Sequence, residues 1–331
     1  MKNPMPVYAS ATRLQPGKQA GFTLIEMMIA ITIGLGILAG LVGVLATSSS
    51  NSRSNDRTSE LMTNGRYALN SMKQELREAG FLGYTYNKPD SLAAIAVTGC
   101  EDGATAAAFI SNVRQGVWGV DDTDPNPNPF SGSCIPVASY SAGNDILVVR
   151  RLDPIPAPPD AAKPNEVYFQ SSYGVGQVFQ GVVPAAVTGT PLATFKLKVY
   201  VYYISPFTVS ATETPLVPAL FRMSLDSSGA MVRELVASGI ERMQVQYGAN
   251  TPTTQYQNKL AGASSDPSAI TGWEDVNSVR IWLLARNTIA EPGYTNTTTY
   301  SMGNAPDYMP ADNFRRQLFT TVVQLRNWKA P

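Results

Sequence analysis

The sequence predicts an α+β protein in which one long N-terminal helix precedes a largely antiparallel β-sheet. Two observations support this class. Residues 22–46 form an apolar run that helical spacing continues to residue 80, and apolar and polar residues alternate in the C-terminal half. With 331 residues, 44% of them hydrophobic, the chain is long enough to bury the core of one or two domains.

The apolar run, residues 22–46, contains a single ionisable side chain, Glu26. As a helix it covers the roughly 30 Å hydrocarbon core of a bilayer. A cleavable secretory signal has a shorter apolar core with its cleavage site after it, and no small-residue site follows Ala46. We therefore predict a retained transmembrane helix, with the natural break before it at Gly21–Phe22. The resemblance described next implies that the same residues also form a filament-core helix.

The residues around this break resemble the class III signal of type IV pilins and type II secretion pseudopilins. A short basic leader, residues 1–21, ends in Gly21, and Phe22-Thr23-Leu24-Ile25-Glu26 opens the apolar helix. The resemblance implies a pilin-like fold. It also implies that a prepilin peptidase cleaves the leader between Gly21 and Phe22, and that the amine of Phe22 is then methylated.

Glu26 is the candidate subunit-assembly residue. An acid at mid-bilayer costs up to roughly 2.5–3.5 kcal/mol, so such residues usually have a function. The resemblance implies that Glu26 pairs with the N-terminal amine of a neighbouring subunit, whereas the alternative is a tolerated acid near the headgroups. Gly36 and Gly40 are candidates for close helix packing, although glycine is also common in membrane helices without that role.

Residues 47–80 are predicted to extend the helix onto the head. The serine-rich stretch after Ala46 is either a flexible seam or a weakened part of one continuous helix. Beyond it, apolar residues recur at three- and four-residue steps and predict a face that packs on a globular domain. These residues are Leu61, Gly65, Ala68, Leu69, Met72, Leu76 and Ala79. Gly80 is the predicted stop.

This helix extension and the C-terminal end resemble PilW-type minor pilins, a group related to the J-type minor pseudopilin of type II secretion. The matching stretches are residues 65–69, 75–81, 279–286 and 315–327. The resemblance implies a structural subunit for type IV pilus assembly or priming, which supports motility, adhesion or DNA uptake. Its large head favours a position near the tip. The alternatives are a type II secretion minor pseudopilin and a pilus-tip binding module for DNA or a surface.

The partners implied by the resemblance are other minor pilins, a major pilin, the prepilin peptidase and the inner-membrane assembly platform. Membrane lipid would contact the N-terminal helix. The implied location is a single pass through the inner membrane with a cytoplasmic N-terminus and a periplasmic head, followed by incorporation into the pilus.

Residues 81–331 are predicted to form this β-rich head. Cys100 and Cys134 are the only cysteines, and an oxidising compartment favours a disulfide between them that closes an irregular region, residues 100–134. In the chain-entropy treatment such a bond contributes roughly 3–4 kcal/mol, and two free thiols are the alternative.

Strands are predicted from alternation and turn signals. Residues 194–204 alternate strictly and predict a strand buried on one face. Asp226-Ser227-Ser228-Gly229 predicts a hairpin between two neighbouring strands. The full set of predicted strands is 145–150, 194–204, 219–225, 231–236, 240–247, 276–286 and 314–326, and the proline-rich residues 153–164 are predicted to form an extended connector.

The composition argues against several function classes. The chain has no histidine, no G-x-S-x-G motif and no glycine-rich phosphate loop, so we expect no enzyme, no catalytic residue and no cofactor. Its net charge is zero, which does not favour a nucleic-acid partner. We interpret Arg315, Arg316, Arg326 and Lys329, near Trp328, as outward polar residues of a strand.

One acidic run suggests calcium at first sight. Asp122, Asp124 and Asn126 alternate as ligands do in an EF-hand loop, which also requires a glycine at its sixth position and a glutamate at its twelfth. Pro127 and Ser133 occupy those two positions. We therefore expect a solvated turn-rich loop and no metal.

Overall fold

The computed structural model describes residues 21–85, 95–185, 187–249, 256–258 and 272–327. The chain divides into two compact units, residues 1–53 and 54–331, and the boundary falls within helix α1 (Leu24–Glu78). Most of the predicted leader, residues 1–20, lies outside the described residues, as do Trp328 and Lys329.

The first unit contains the N-terminal part of α1. Every residue from 21 to 53 is exposed, and the apolar side chains remain 52–89% accessible. The helix continues without a break through the serine-rich stretch, so the continuous-helix alternative describes the structure. α1 is also the one described helix that is long and apolar enough to cross a membrane. A helix that is apolar all round in this way is suited to lipid or to other helices.

The second unit contains the rest of α1, whose predicted packing face is confirmed. Leu61, Gly65, Ala68, Met72 and Leu76 are buried, and they follow one another at steps of three or four residues. The helix ends at the predicted stop, where Gly80 adopts a φ of +71°, a conformation that glycine reaches at little cost. The Gly80 N–H then donates to the Arg150 carbonyl, which joins the helix end to the head.

Two antiparallel sheets form the head, as the α+β class predicts. The larger contains seven strands, in which β5 pairs with β2, β3 and β6 along its length, while β1, β4 and β7 extend the sheet. Its strands are β1 (Val117–Val120), β2 (Ile146–Leu152), β3 (Val167–Ser171), β4 (Gly176–Gln180), β5 (Ala193–Ser205), β6 (Ala219–Leu225) and β7 (Met231–Ser238). The smaller has the order β11-β10-β8-β9, formed by β8 (Ile240–Ala249), β9 (Tyr256–Gln257), β10 (Val276–Arg286) and β11 (Arg316–Gln324).

Two apolar cores lie against the large sheet, on opposite faces of β5. The helix core contains residues of α1, β8 and β10, and its largest members include Leu61, Met72, Leu76, Tyr202, Tyr247 and Ile281. The disulfide core contains Cys100 and residues around it, including Phe109, Phe130, Val148, Val201 and Tyr203. β5 is therefore shared by both cores.

Because β5 lies between the two cores, the prediction that only one of its faces is buried is wrong. β5 was expected to be buried on one face, yet every residue from Val199 to Ser205 is buried. Tyr200 and Tyr202 enter the helix core, whereas Val201 and Tyr203 enter the disulfide core. The alternating pattern places Tyr200 and Tyr202 on the polar face, but their largely apolar rings pack in the helix core.

The region around the cysteines is more regular than predicted. Cys100 and Cys134 form the expected disulfide across 34 residues. Between them lie a short helix, α2 (Ala106–Ser111), and strand β1. Thr105 caps α2 by accepting a hydrogen bond from the Ala108 N–H at 3.3 Å. Strands β3, β4 and β9 were not predicted, because they are two to five residues long and lack a clear alternation.

Candidate functional site

The predicted cleavage position lies just before α1. Gly21, Phe22 and Thr23 are not helical, and Phe22 is 89% exposed. The Gly21–Phe22 peptide bond is therefore outside the hydrogen-bonding pattern of the helix.

Glu26 folds back onto the start of its own helix. Its Oε2 accepts hydrogen bonds from the Thr23 N–H at 2.9 Å and from the Thr23 hydroxyl at 2.8 Å, while the Glu26 N–H donates to Thr23 Oγ1 at 3.3 Å. This reciprocal pair is a capping box, in which each side chain accepts a hydrogen bond from the backbone N–H of the other residue. The Thr-x-x-Glu spacing could have been read from the sequence and was missed there. The box holds the carboxylate in the first turn, close to the backbone of Phe22.

Glycines in α1 stand in two different surroundings. A methyl group added at Gly36 or Gly40 would meet no atom within 4 Å, so these positions leave an open notch on the helix surface. A methyl group added at Gly65 would lie 2.2 Å from Cε2 of Phe319 on β11. Gly65 thus permits close contact between α1 and the small sheet, whereas Gly36 and Gly40 offer room for a neighbour.

Polar contacts also join α1 to the head. Arg151 on β2 binds Glu75 at 2.5 Å and Glu78 at 2.9 Å, and the side chains of Arg151 and Glu75 are only 10% and 12% exposed. Burial would lower the pKa of Arg151, but the hydrogen bond and charge of Glu75 raise it. Because a buried charge is costly without its partner, this pair fixes where the helix meets the sheet.

A basic groove runs beside the end of this helix. It has a volume of about 570 Å³ and lies between Lys73 and Arg77 of α1 and residues 322–326 at the end of β11. β11 pairs only with β10 among the described strands, so its other edge carries no further strand there.

Two of the basic residues near the C-terminus form ion pairs with acidic residues of the head. Arg315 binds Glu291 at 2.5 Å, and Arg316, whose side chain is fully buried, binds Glu241 and Asp312 at 2.6 Å. The expectation that Arg316 is an outward polar residue is therefore wrong, because its guanidinium is enclosed by two carboxylates.

The acidic loop agrees with its prediction only in part. Asp121 and Asn128 at its two ends are buried, at 2% and 6% exposure, while residues 122–127 are exposed or half-exposed. Asp121 and Asp122 approach Asp145 so that carboxylate oxygens of all three residues lie within 4.8 Å of one another. Sequence spacing alone could not group these residues, because Asp145 follows a long loop.

Two family models match parts of the chain. A family model described as Prokaryotic N-terminal methylation motif matches residues 16–42, which include Gly21, Phe22, Glu26, Gly36 and Gly40. A second model, described as Type IV Pilus-assembly protein W, matches residues 201–327, from the middle of β5 to the end of β11. None of the curated proteins compared with the chain matches it significantly.

Among solved structures, the chain is similar to a type IV-like pilin from Thermus thermophilus. The two share 12% sequence identity with a TM-score of 0.34, and the comparison covers 81% of this chain and 98% of that one.

The methylation motif and the exposed apolar helix fit a pilin-like protein anchored in a membrane. Together with the match over part of the head, they support a type IV minor pilin of the PilW type, as the sequence predicted. The PilW model describes a pilus-assembly protein.

Proposed function

We propose that this chain is a minor pilin that acts in type IV pilus assembly or priming, near the tip of the filament. The observation that carries the proposal is the methylation motif on an apolar helix segment whose residues are all exposed. An unpartnered apolar helix of this kind requires lipid before assembly and other helices afterwards. The large head suits a terminal position, since about 250 residues per subunit would crowd a repeating shaft.

Maturation would remove the leader between Gly21 and Phe22 and methylate the new amine of Phe22. That amine would then lie within about one helical turn of the carboxylate of Glu26. In a filament, Glu26 would pair with the amine of a neighbouring subunit, which neutralises two charges as the helix leaves the membrane interface. Gly36 and Gly40 would admit the neighbouring helix.

The proposed setting follows from this role. The helix spans the inner membrane with its N-terminus in the cytoplasm and the head in the periplasm, where a disulfide is stable. The specific partners would be other minor pilins, a major pilin, the prepilin peptidase and the inner-membrane assembly platform. The PilW match favours a pilus over a type II secretion system.

The first test is the N-terminus of the protein recovered from membranes. Mass spectrometry should find Phe22, with one added methyl group, as the first residue. Gly21→Ala should abolish or strongly reduce this processing, and Gly40→Ala should leave it unchanged because Gly40 is far from the cut. Full-length chains that retain Met1 in the parent, or equal processing of both variants, would contradict the proposal.

The second test separates the charge of Glu26 from its role in the capping box. Glu26→Gln keeps an oxygen that can accept from Thr23 but removes the charge. Thr23→Ala removes the cap and keeps the charge. We expect Glu26→Gln to be processed and inserted yet poorly recovered in sheared pili, and Thr23→Ala to lose much less. Glu60→Gln, at an exposed position of the same helix, is the control.

If Glu26→Gln is recovered in pili as well as the parent, charge pairing is not the role of Glu26. If the Thr23→Ala variant is missing from sheared pili as completely as the Glu26→Gln variant, the defect that both share is the loss of helix capping.

A further inference from the structure

Strand β11 leaves one edge of the small sheet open. It pairs with β10 along its whole length without a register shift. Beyond one end of this ladder the Leu325 N–H donates to the Asn277 carbonyl at 2.8 Å. Beyond the other end the Asn287 N–H donates to the Arg315 carbonyl at 3.1 Å. Because hydrogen-bonded pairs alternate along an antiparallel ladder, the odd-numbered residues of β11 are the ones that bond to β10.

The even-numbered residues direct their backbone groups to the open edge. Thr320, Val322 and Gln324 therefore point their N–H and C=O groups away from β10. These groups have no hydrogen-bond partner among the residues that the structure describes. All three residues are also exposed. Such a row of unpaired backbone groups is a template for a further strand.

The sequence of β11 does little to protect this edge. Proteins commonly protect an open edge with a lysine, a proline or a β-bulge in the strand itself. β11 contains no lysine or proline, its residues 317–324 are uncharged, and its ladder with β10 has no bulge. Its central residues, 320–323, are all β-branched, which favours the extended conformation.

The basic groove follows the same edge. Five consecutive residues, 322–326, line it on the strand side. Since successive side chains of a strand point to opposite faces, a groove that touches all five runs along the edge and not over one face. Lys73 and Arg77 of α1 form the facing wall.

The charge of the groove is positive. Lys73, Arg77 and Arg326 form no ion pair within the described part of the chain. The nearby carboxylate of Glu78 is already bound to Arg151 at 2.9 Å. A second copy of this chain would bring the same positive charges to the edge, whereas an acidic segment would complement them.

The spacing of the two helix charges also suits a strand. α1 and β11 run in the same direction, since Gly65 lies against Phe319 while Asn327 donates to carbonyls at the end of α1 at 3.2 and 3.3 Å. Lys73 and Arg77 are about 6 Å apart along the helix axis. Alternate residues of a strand are about 6.6 Å apart. Acidic residues at two alternate positions of an added strand would therefore meet both cations.

We propose that an extended acidic segment of a different pilus subunit adds to the open edge of β11 as a further strand. Main-chain hydrogen bonds to Thr320, Val322 and Gln324 provide affinity, and alternate acidic side chains bind Lys73 and Arg77. That the partner is a pilus subunit rests on the proposed function, whereas the open edge and its charge do not.

Photo-crosslinking in piliated cells tests this contact. The full-length chain carries p-benzoylphenylalanine in place of Gln324, and the control chain carries it in place of Lys163, an exposed residue elsewhere in the head. Irradiation should link position 324, and not position 163, to one other protein. Mass spectrometry should place the attachment in a segment with acidic residues at alternate positions.

Two variants of the chain with the crosslinker at position 324 probe the two parts of the contact. Lys73→Glu combined with Arg77→Glu reverses the charge and should reduce the product about tenfold, while Lys163→Glu should not. Val322→Pro removes an outward N–H and no ladder hydrogen bond, so it should also reduce the product. Val322→Thr keeps that N–H and should leave the product unchanged.

Thermal melts in a non-ionic detergent separate lost contact from lost folding. The charge-reversed variant should unfold close to the parent, and its crosslinking decides the test if Val322→Pro is destabilised. The proposal would be overturned by absence of a product at position 324, by a product with a second copy of this chain or with a segment that lacks acidic residues, or by full yield in the charge-reversed variant.

The proposed function is checked in the same cells. A parent chain that begins at Phe22 and is recovered in sheared pili, yet gives no crosslink, would refute strand addition alone. A parent chain that is absent from pili would refute the proposed function instead.

Discussion

The two parts of α1 have the same backbone conformation but opposite surroundings. From Leu24 to Arg53 every residue is exposed, although most of them are apolar. From Ser54 to Glu78 the helix carries one buried stripe and a polar remainder. The difference follows the sequence: the first part is apolar all round its axis, which suits lipid or other helices, whereas the second part has fewer apolar residues and places them on the face that packs on the head.

The glycines sharpen this comparison. Gly40 faces open space, while Gly65 is covered by Phe319. Glycine therefore leaves open space for a neighbouring helix at Gly40, and at Gly65 it permits close contact with Phe319. Substitutions matched between the two parts can test this difference.

The largest effect is expected for the apolar stripe. Leu76→Ala would leave a cavity in the helix core, where Leu76 is fully buried, and should lower the free energy of unfolding by about 2–5 kcal/mol. Leu41→Ala, at a residue 56% exposed, should leave head stability unchanged. Tryptophan fluorescence during denaturation of the full-length protein in detergent measures both. Equal losses would mean that the two parts of the helix share one folding unit.

A smaller effect is expected for Gly65→Ala. The added methyl group would displace the Phe319 ring, and overpacking costs about 1–3 kcal/mol, partly offset by about 1 kcal/mol of better helix propensity. Gly40→Ala brings the same improvement in helix propensity, and its added methyl group meets no other atom within 4 Å. Combining Gly65→Ala with Phe319→Leu should cost less than the sum of the two single changes, as unfolding free energies would show. Strict additivity would mean that the two residues do not meet.

The smallest effect concerns pH. Glu291 accepts hydrogen bonds from Arg315 and from Ser54, the first residue of the head-packed part of α1, and the Arg315 hydrogen bond is the main cause of its lowered pKa. A carboxyl whose folded pKa is lowered stabilises the fold above its unfolded pKa, near 4.3, and this contribution is lost as the pH falls through the folded value.

Glu291→Gln should therefore reduce stability at pH 7 by about 1 kcal/mol or less, since Arg315 is 40% exposed. The difference between parent and variant should shrink as the pH falls below about 4. Thermal melts from pH 7 to pH 3 measure this difference. A difference that stays constant over that range would assign the effect to packing rather than to charge.

Local patterns were sufficient for much of the fold. The helical stripe, the stop at Gly80 and the hairpin around Asp226 depend on neighbouring residues, and the structure agrees with all three. The disulfide followed from there being only two cysteines. The short strands β3 and β4 were missed because neither alternates clearly, although they form a local hairpin with each other and β3 also pairs with β5.

The candidate sites divide in the same way. Gly21, Phe22 and Glu26 lie within one short stretch of sequence, so a local motif is enough to propose them. The meeting of Asp121 and Asp122 with Asp145 requires β1 to pair with β2. Nothing in the spacing of Asp122, Asp124 and Asn126 could indicate that contact.

The shared position of β5 has a practical consequence for dissecting the protein. The PilW match begins at residue 201, inside this strand. A fragment cut at that boundary would lose residues 193–200, more than half of the strand, together with α1 and β2, and would expose apolar surface of both cores to water. Such a piece would aggregate rather than fold, so the limits of the recognisable region are not the limits of an independently stable part.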